Sequence, residues 1–265
     1  MRFALGLEYD GSAFHGWQSQ TGMRTVQSCL EQALSKVANQ PITVVVAGRT
    51  DAGVHAGAGG THGQVAHFDT AVRRSSRAWV LGGNLYLPPD VAICWVRIVS
   101  DDFHARFSAR SRHYRYVIHN SLTRAALNRT RVTWEHRRLD VEKMANAASY
   151  LLGTHDFSSF RARGCQAKSP IRTIQCLNVA RDGTTIIIEV VANAFLHHMV
   201  RNIVGVLITI GAGERPTEWT REVLEKRNRS CGGVTAPPEG LHLIGVEYPS
   251  RFGIPPLTAW EDDSP

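Results

Sequence analysis

Apolar and polar positions alternate near the start of the chain, and FALGLEY (residues 3–9) predicts a β-strand. Across 25–38 the spacing changes. Val26, Leu30, Ala33, Leu34 and Val37 fall on one face of an amphipathic helix. The apolar run 42–46 and the segment QVAHF (64–68) predict two further strands. A second helix is expected over about 72–84, ended by Gly82 and Gly83, and VAICWVRIV (91–99) predicts a strand. The order β-α-β-β-α-β is the split βαβ pattern.

The second half reads in a related way. HYRYVIH (113–119) predicts a strand and 140–152 a helix. TIQCLNVAR and TTIIIEVVA predict a hairpin around Asp182-Gly183, a strong turn signal. A long helix is expected from about Asn193 to Ile210, a shorter one near 217–227, and a closing strand at HLIGVEY (242–248). Two related α+β halves are therefore expected, 1–105 and 106–265, placing a long sheet across the molecule with a cleft where they meet.

Composition changes the picture in three ways. A chain of 265 residues with 43% apolar content can bury a sizeable core. The first residues lack a signal-peptide pattern, and the apolar run 203–213 is about half a membrane span, so a soluble protein without a membrane partner is expected. Five cysteines without a C-x-x-C fit a reducing, cytoplasmic setting better than a disulfide framework or zinc ribbon. The net charge is +7, and of 30 basic residues only four are lysines. Residues 103–138 hold nine arginines and a single acid, Glu135. Arginine's planar fork suits phosphate. A G+C-rich genome, whose codons favour arginine, is an alternative source of the overall bias but explains the local clustering less well, and a basic stripe is the expected footprint of a nucleic-acid binder.

The chemistry concentrates in AGRTDAGVHAG (47–57), where Asp51 sits in a glycine-flanked turn two residues after Arg49. Gly48 and Gly53 let the backbone bend and approach a ligand closely. A carboxylate so placed can act as a nucleophile or stabilise a cationic sugar carbon. The same spacing also fits an Asx-turn in which Arg49 is merely the ion partner of Asp51.

AGRTDAGVHA followed by GQVAHF resembles the central motif of the tRNA pseudouridine synthases of the TruA type. LEYDGSAFHGWQ (7–18), DDFHARFSA (101–109), RHYRY (112–116), HDFSSFR (155–161), NAFLHHMVRNIVG (193–205) and TAPPEGL (235–241) match the same family, in order. The resemblance implies Asp51 as the catalytic aspartate, Tyr114 as the aromatic stacking on the target uracil, and Arg201 as the partner of the aspartate. It implies that Arg49 fills the space left by the extracted base. It also implies two βαββαβ-like (RRM- or ferredoxin-like) subdomains forming a mixed, mostly antiparallel central sheet with helices packed on it, in a homodimer. The implied substrate is the tRNA anticodon stem-loop at uridines 38, 39 and 40, with no cofactor and no metal.

Other residues carry weaker signals. His104 and Arg106 in FHAR are candidate phosphate contacts or surface ion-pair formers, and Phe195, opening the last long helix, is a staple residue or part of the pocket wall. Tyr114 and Tyr116 share a strand face, so either could simply pack. Of twelve histidines none forms an H-E-x-x-H, and the adjacent pair His197-His198 would point about 100° apart on a helix, so no metal site is expected. The chain departs from the family in a longer glycine-rich loop, AGAGGTH (56–62), and in Tyr86 within GGNLYLP. Two rival functions remain at this point: a non-catalytic RNA-binding protein, and an N-ribosyl hydrolase using the same carboxylate.

Overall fold

The computed structural model describes residues 1–57 and 63–256, and the chain divides into two compact units. One comprises Met1–Arg112 with His242–Pro265; the other is His113–Leu241. The distinctive part of the long loop, residues 58–62, lies outside the described residues. Each unit is α+β with a mostly antiparallel, mixed sheet. Among the described residues no helix is long and apolar enough to cross a membrane.

The first unit is built on β1 (Arg2–Tyr9). Strand β5 (Val91–Val99) pairs antiparallel along one edge. The other edge is shared: β4 (Gln64–Asp69) pairs with residues 2–7, and β3 (His55–Ala56) continues the same edge at Tyr9. β1 is thus central, and Phe3 to Leu7 are buried on both faces. Strand β2 (Val45–Val46) pairs with β4, and β11 (Leu241–Glu247) runs parallel to β3 through His242 and His55. Helices α1 (Val26–Ala38) and α2 (Ser76–Tyr86) pack on each other, with Val26, Leu30, Ala33, Leu34 and Val37 buried, as their spacing predicts. Phe3, Phe68 and Trp79 form an aromatic cluster with centroids 5.0–5.5 Å apart.

Two expectations need correction here. The strand expected over 42–46 is reduced to Val45–Val46, because α1 side chains take the preceding amides. Ile42 N–H donates to Ser35 Oγ at 2.9 Å and Val44 N–H to Glu31 Oε1 at 3.0 Å. Helix α2 passes through Gly82 and Gly83 to Tyr86 instead of ending there. A Cβ on Gly83 would lie 2.4 Å from Ile93 Cδ1, so that glycine lets α2 settle onto β5.

The second unit contains β6 (Ser111–Asn120, from His113 on), β10 (Thr185–Ala192), β9 (Ile171–Asp182) and β8 (Gly153–Asp156) in that order, with β7 (Thr133–Glu135) parallel to β6. The β9–β10 hairpin closes at the Asp182–Thr185 pair, with Gly183 at φ +56°. Helices α3 (Val141–Ser149), α4 (Met199–Gly211) and α5 (Trp219–Lys226) pack together, and α3 also lies on β9. Helix α4 begins six residues later than its apolar pattern suggests. Asn193 Oδ1 instead accepts from Thr173 N–H (3.1 Å) and Ala194 N–H (2.8 Å), and His198 adopts a left-handed conformation at φ +60°. The adjacent histidines therefore precede the helix, and their ring centroids lie 4.0 Å apart.

His67 on β4 is buried, and its Nδ1 accepts from Ala105 N–H at 3.1 Å. Burial, with Arg2 adding repulsion, lowers its pKa from 6.5 to about 4. The unfolded chain therefore takes up this proton first as pH falls. The stability His67 contributes is complete above pH 6.5 and is lost between 6.5 and about 4, up to about 3 kcal/mol. In urea unfolding as a function of pH, His67→Gln should flatten the curve across this window; a wild-type slope in the variant would contradict the assignment.

Candidate active site

The Asp51 turn is fixed largely through its main chain. It leaves the sheet at Ala47, whose N–H donates to Val65 O at 2.8 Å. Ala47 O in turn accepts from the buried Arg112 guanidinium at 3.2 Å. Thr50 O accepts from Trp17 N–H at 3.0 Å, and Asp51 O from Val54 N–H at 3.1 Å. Gly53, at φ +78°, donates to Phe14 O at 3.4 Å. The segment Tyr9–Trp17 lies directly against this turn: a Cβ on Gly16 would stand 2.8 Å from Thr50 O. The chain then enters β3, held between Tyr9 on one side and His242 on the other. His55 stacks on His242 at 4.7 Å, and its Nδ1 accepts from Gly11 N–H at 3.1 Å. Asp10 Oδ1 approaches the same nitrogen at 3.3 Å.

Within this turn Thr50 is buried, Asp51 half-buried and Arg49 exposed. Among the described residues Arg49 makes no ion pair, so the reading in which it merely neutralises Asp51 is not what the structure contains. The FHAR loop belongs to the same unit. Arg2 donates to Asp101 O (2.6 Å) and Phe103 O (2.8 Å), Tyr248 to Ala105 O (2.6 Å), and Arg112 to Arg106 O (2.6 Å). His104 Nδ1 accepts from the amides of Arg106 and Phe107, both at 3.2 Å, so the ring organises its own turn. Burial, reinforced by Arg2, lowers the His104 pKa. The Arg106 side chain is exposed, over the Phe107 ring at 5.6 Å.

In the second unit, β6 carries both tyrosines, and both are buried. Tyr116 is fully buried, with its hydroxyl 2.6 Å from Thr133 Oγ1 and donating to Pro237 O at 2.9 Å. Burial raises its pKa. Tyr114 meets Phe195 edge-on, with centroids 5.0 Å apart and planes at 86°. Phe195 is half-buried and lies four residues before α4, outside the helix.

Arg201, on the first turns of α4, donates from Nε to Ala236 O at 2.7 Å, while Ala236 N–H returns a bond to Arg201 O at 3.0 Å. The neighbouring Asn202 is buried and bonded to Phe160 O, Thr235 and Arg229. The segment 233–236 therefore rides directly on α4, and Gly205 makes this possible: a Cβ there would lie 1.8 Å from Val234 O.

A match to the tRNA pseudouridine synthase family covers residues 7–108 and 147–249. The chain is 59% identical over 264 residues to tRNA pseudouridine synthase A of Nitrosococcus oceani, covering 98% of this chain and all of that protein. It is 58% identical to the protein of that name from Alcanivorax borkumensis (96% of this chain, 94% of the relative) and 56% to that from Pseudomonas aeruginosa (96% and 88%). An α+β enzyme of the isomerase class is thereby defined. The chain belongs to the tRNA pseudouridine synthase family, of the synthase A type.

Gly205→Ala should push residues 233–236 off α4 and lower stability by about 2–3 kcal/mol, read by urea unfolding. An unchanged midpoint would show that this close approach does not constrain the fold.

Proposed function

We propose that the chain converts uridine to pseudouridine at positions 38, 39 and 40 of the tRNA anticodon stem-loop, with Asp51 as the reacting carboxylate. The observation that supports this most is the turn itself. Its backbone is held from inside the first unit, while Asp51 and Arg49 stand at its rim. The isomerisation breaks the ribose C1′–N1 bond and joins C1′ to C5 of the same base; C5 loses a proton and N1 gains one. No electrons are exchanged with another molecule, so one anion near C1′ and a site that retains the detached uracil suffice. Asp51 attacks C1′ directly or removes the C2′ proton to give a glycal.

The remaining roles follow from chemistry. The target base must leave its stack, at a cost of a few kcal/mol. Tyr114 offsets part of this by stacking, worth roughly 1–3 kcal/mol per base, and Phe195 sets the edge of its ring. Arg201 is assigned as the counter-charge of Asp51, and the Ala236 carbonyl fixes its Nε. Arg49, exposed and without an ion pair among the described residues, is suited to the gap left by the extracted base. Arg106 is assigned to a phosphate, and His104 to a neutral contact through Nε2, because Nδ1 is engaged within its turn. We place the enzyme in the cytoplasm as a homodimer; five free cysteines accord with a reducing compartment.

Asp51→Asn tests the assignment. The variant should bind tRNA with near wild-type affinity while pseudouridine formation falls at least about 10³-fold. Turnover within about tenfold of wild type would remove Asp51 from the chemistry.

A further inference from the structure

Beneath the Asp51 turn lies a polar chain, built from residues to which no role has been given above. Tyr9 ends β1, Gln64 opens β4, and Thr50 immediately precedes Asp51; all three are buried, with Gln64 wholly inaccessible. Gln64 Nε2 donates to Gly48 O at 2.7 Å and approaches the Tyr9 hydroxyl at 3.3 Å. The Tyr9 hydroxyl lies 2.8 Å from Thr50 Oγ1. The directions follow from the chemistry. Gly48 O needs a donor, so the amide nitrogen faces it. The same amide donates to the phenol oxygen, and the phenol proton then points to Thr50. Burial raises the Tyr9 pKa to about 12, so the phenol keeps that proton at neutral pH.

Apolar side chains would fill this space at lower cost, because buried polar groups are tolerated only when fully bonded. What the polar chain adds is directionality. It grips residues 48 and 50, on either side of Arg49. Successive side chains of an extended segment point to opposite sides. Drawing Thr50 inward therefore turns its neighbours the other way: Arg49 is exposed and Asp51 half-buried.

We propose that Tyr9 and Gln64, acting through Thr50 and the Gly48 carbonyl, are positioning residues that set the direction of the Asp51 carboxylate. The proposal rests on Asp51 being the reacting group. A carboxylate displaced by about 1 Å from its productive place costs on the order of 10²-fold in rate, whereas RNA affinity, carried by many contacts elsewhere, hardly changes.

The test uses Tyr9→Phe, Gln64→Met (similar length, donor removed) and Thr50→Val, assayed on tRNA well below their melting temperatures. Each should lower kcat by about 10- to 100-fold with KM within about twofold of wild type. Thr50→Ser, which keeps the hydroxyl, should recover most of the rate lost in Thr50→Val. Tyr9→Phe combined with Thr50→Val should be little slower than the slower single variant, because both remove one bond; a merely structural role would give additive losses that follow stability. Should Thr50→Val fail to fold, Tyr9→Phe decides alone. A kcat within about twofold of wild type in the folded variants, or a loss confined to KM, overturns the proposal. Asp51→Asn, run alongside, separates the two failures. If it is inactive while Thr50→Val turns over normally, only the positioning role falls; if it turns over normally, the role of Asp51 falls with it.

Discussion

The fold of the first unit depends on how eight residues, Ala47–Val54, are tied down. A turn that presents a carboxylate cannot be held by that carboxylate, so its main chain must be gripped from elsewhere. The carbonyls of Ala47, Gly48, Thr50 and Asp51 all accept bonds, from Arg112, Gln64, Trp17 and Val54 respectively. These donors come from four separate stretches of sequence: the end of the unit's first segment, β4, the Tyr9–Trp17 region and the turn itself. Strand β3 then locks the exit, paired to β1 and β11 and stacked through His55 and His242.

The same logic organises the second unit. Each side chain proposed to act there lies one or two residues from a neighbour that is firmly bonded. Tyr116 is bonded and fully buried, and Tyr114, two residues earlier, meets Phe195 edge-on. Asn202 is consumed in a buried network with Arg229 and Thr235, and Arg201, one residue earlier, grips the 236 segment. In each pair the firmly bonded member helps fix the backbone beside the side chain proposed to act. Uridine isomerisation suits such a design, since it consumes no external reagent and asks chiefly for placement.

Much of this was legible in the sequence, and the failures have physical causes. The helix face of α1 and the strand at 91–99 follow from periodicity alone, because burial there is one-sided or uniform. The two glycines of α2 read as a stop but are a close-packing device, a distinction that needs the neighbour Ile93. The late start of α4 was hidden because residues 193–198 are as apolar as a helix turn, while Asn193 side-chain bonds and the left-handed His198 divert the backbone. Asp51, Tyr114 and Arg201 are candidates that the motif names. Tyr9 and Gln64 carry a signal of their own: each is a polar group at the end of a largely apolar strand, and such a group, once buried, requires a partner.

The most direct measurement is the fate of uridine at positions 38–40 when unmodified tRNA is incubated with the pure protein and its nucleosides are mapped. The account predicts pseudouridine at those positions, in an RNA of unchanged length, without added cofactor. Release of free uracil, or RNA that is bound and recovered unaltered, would contradict it.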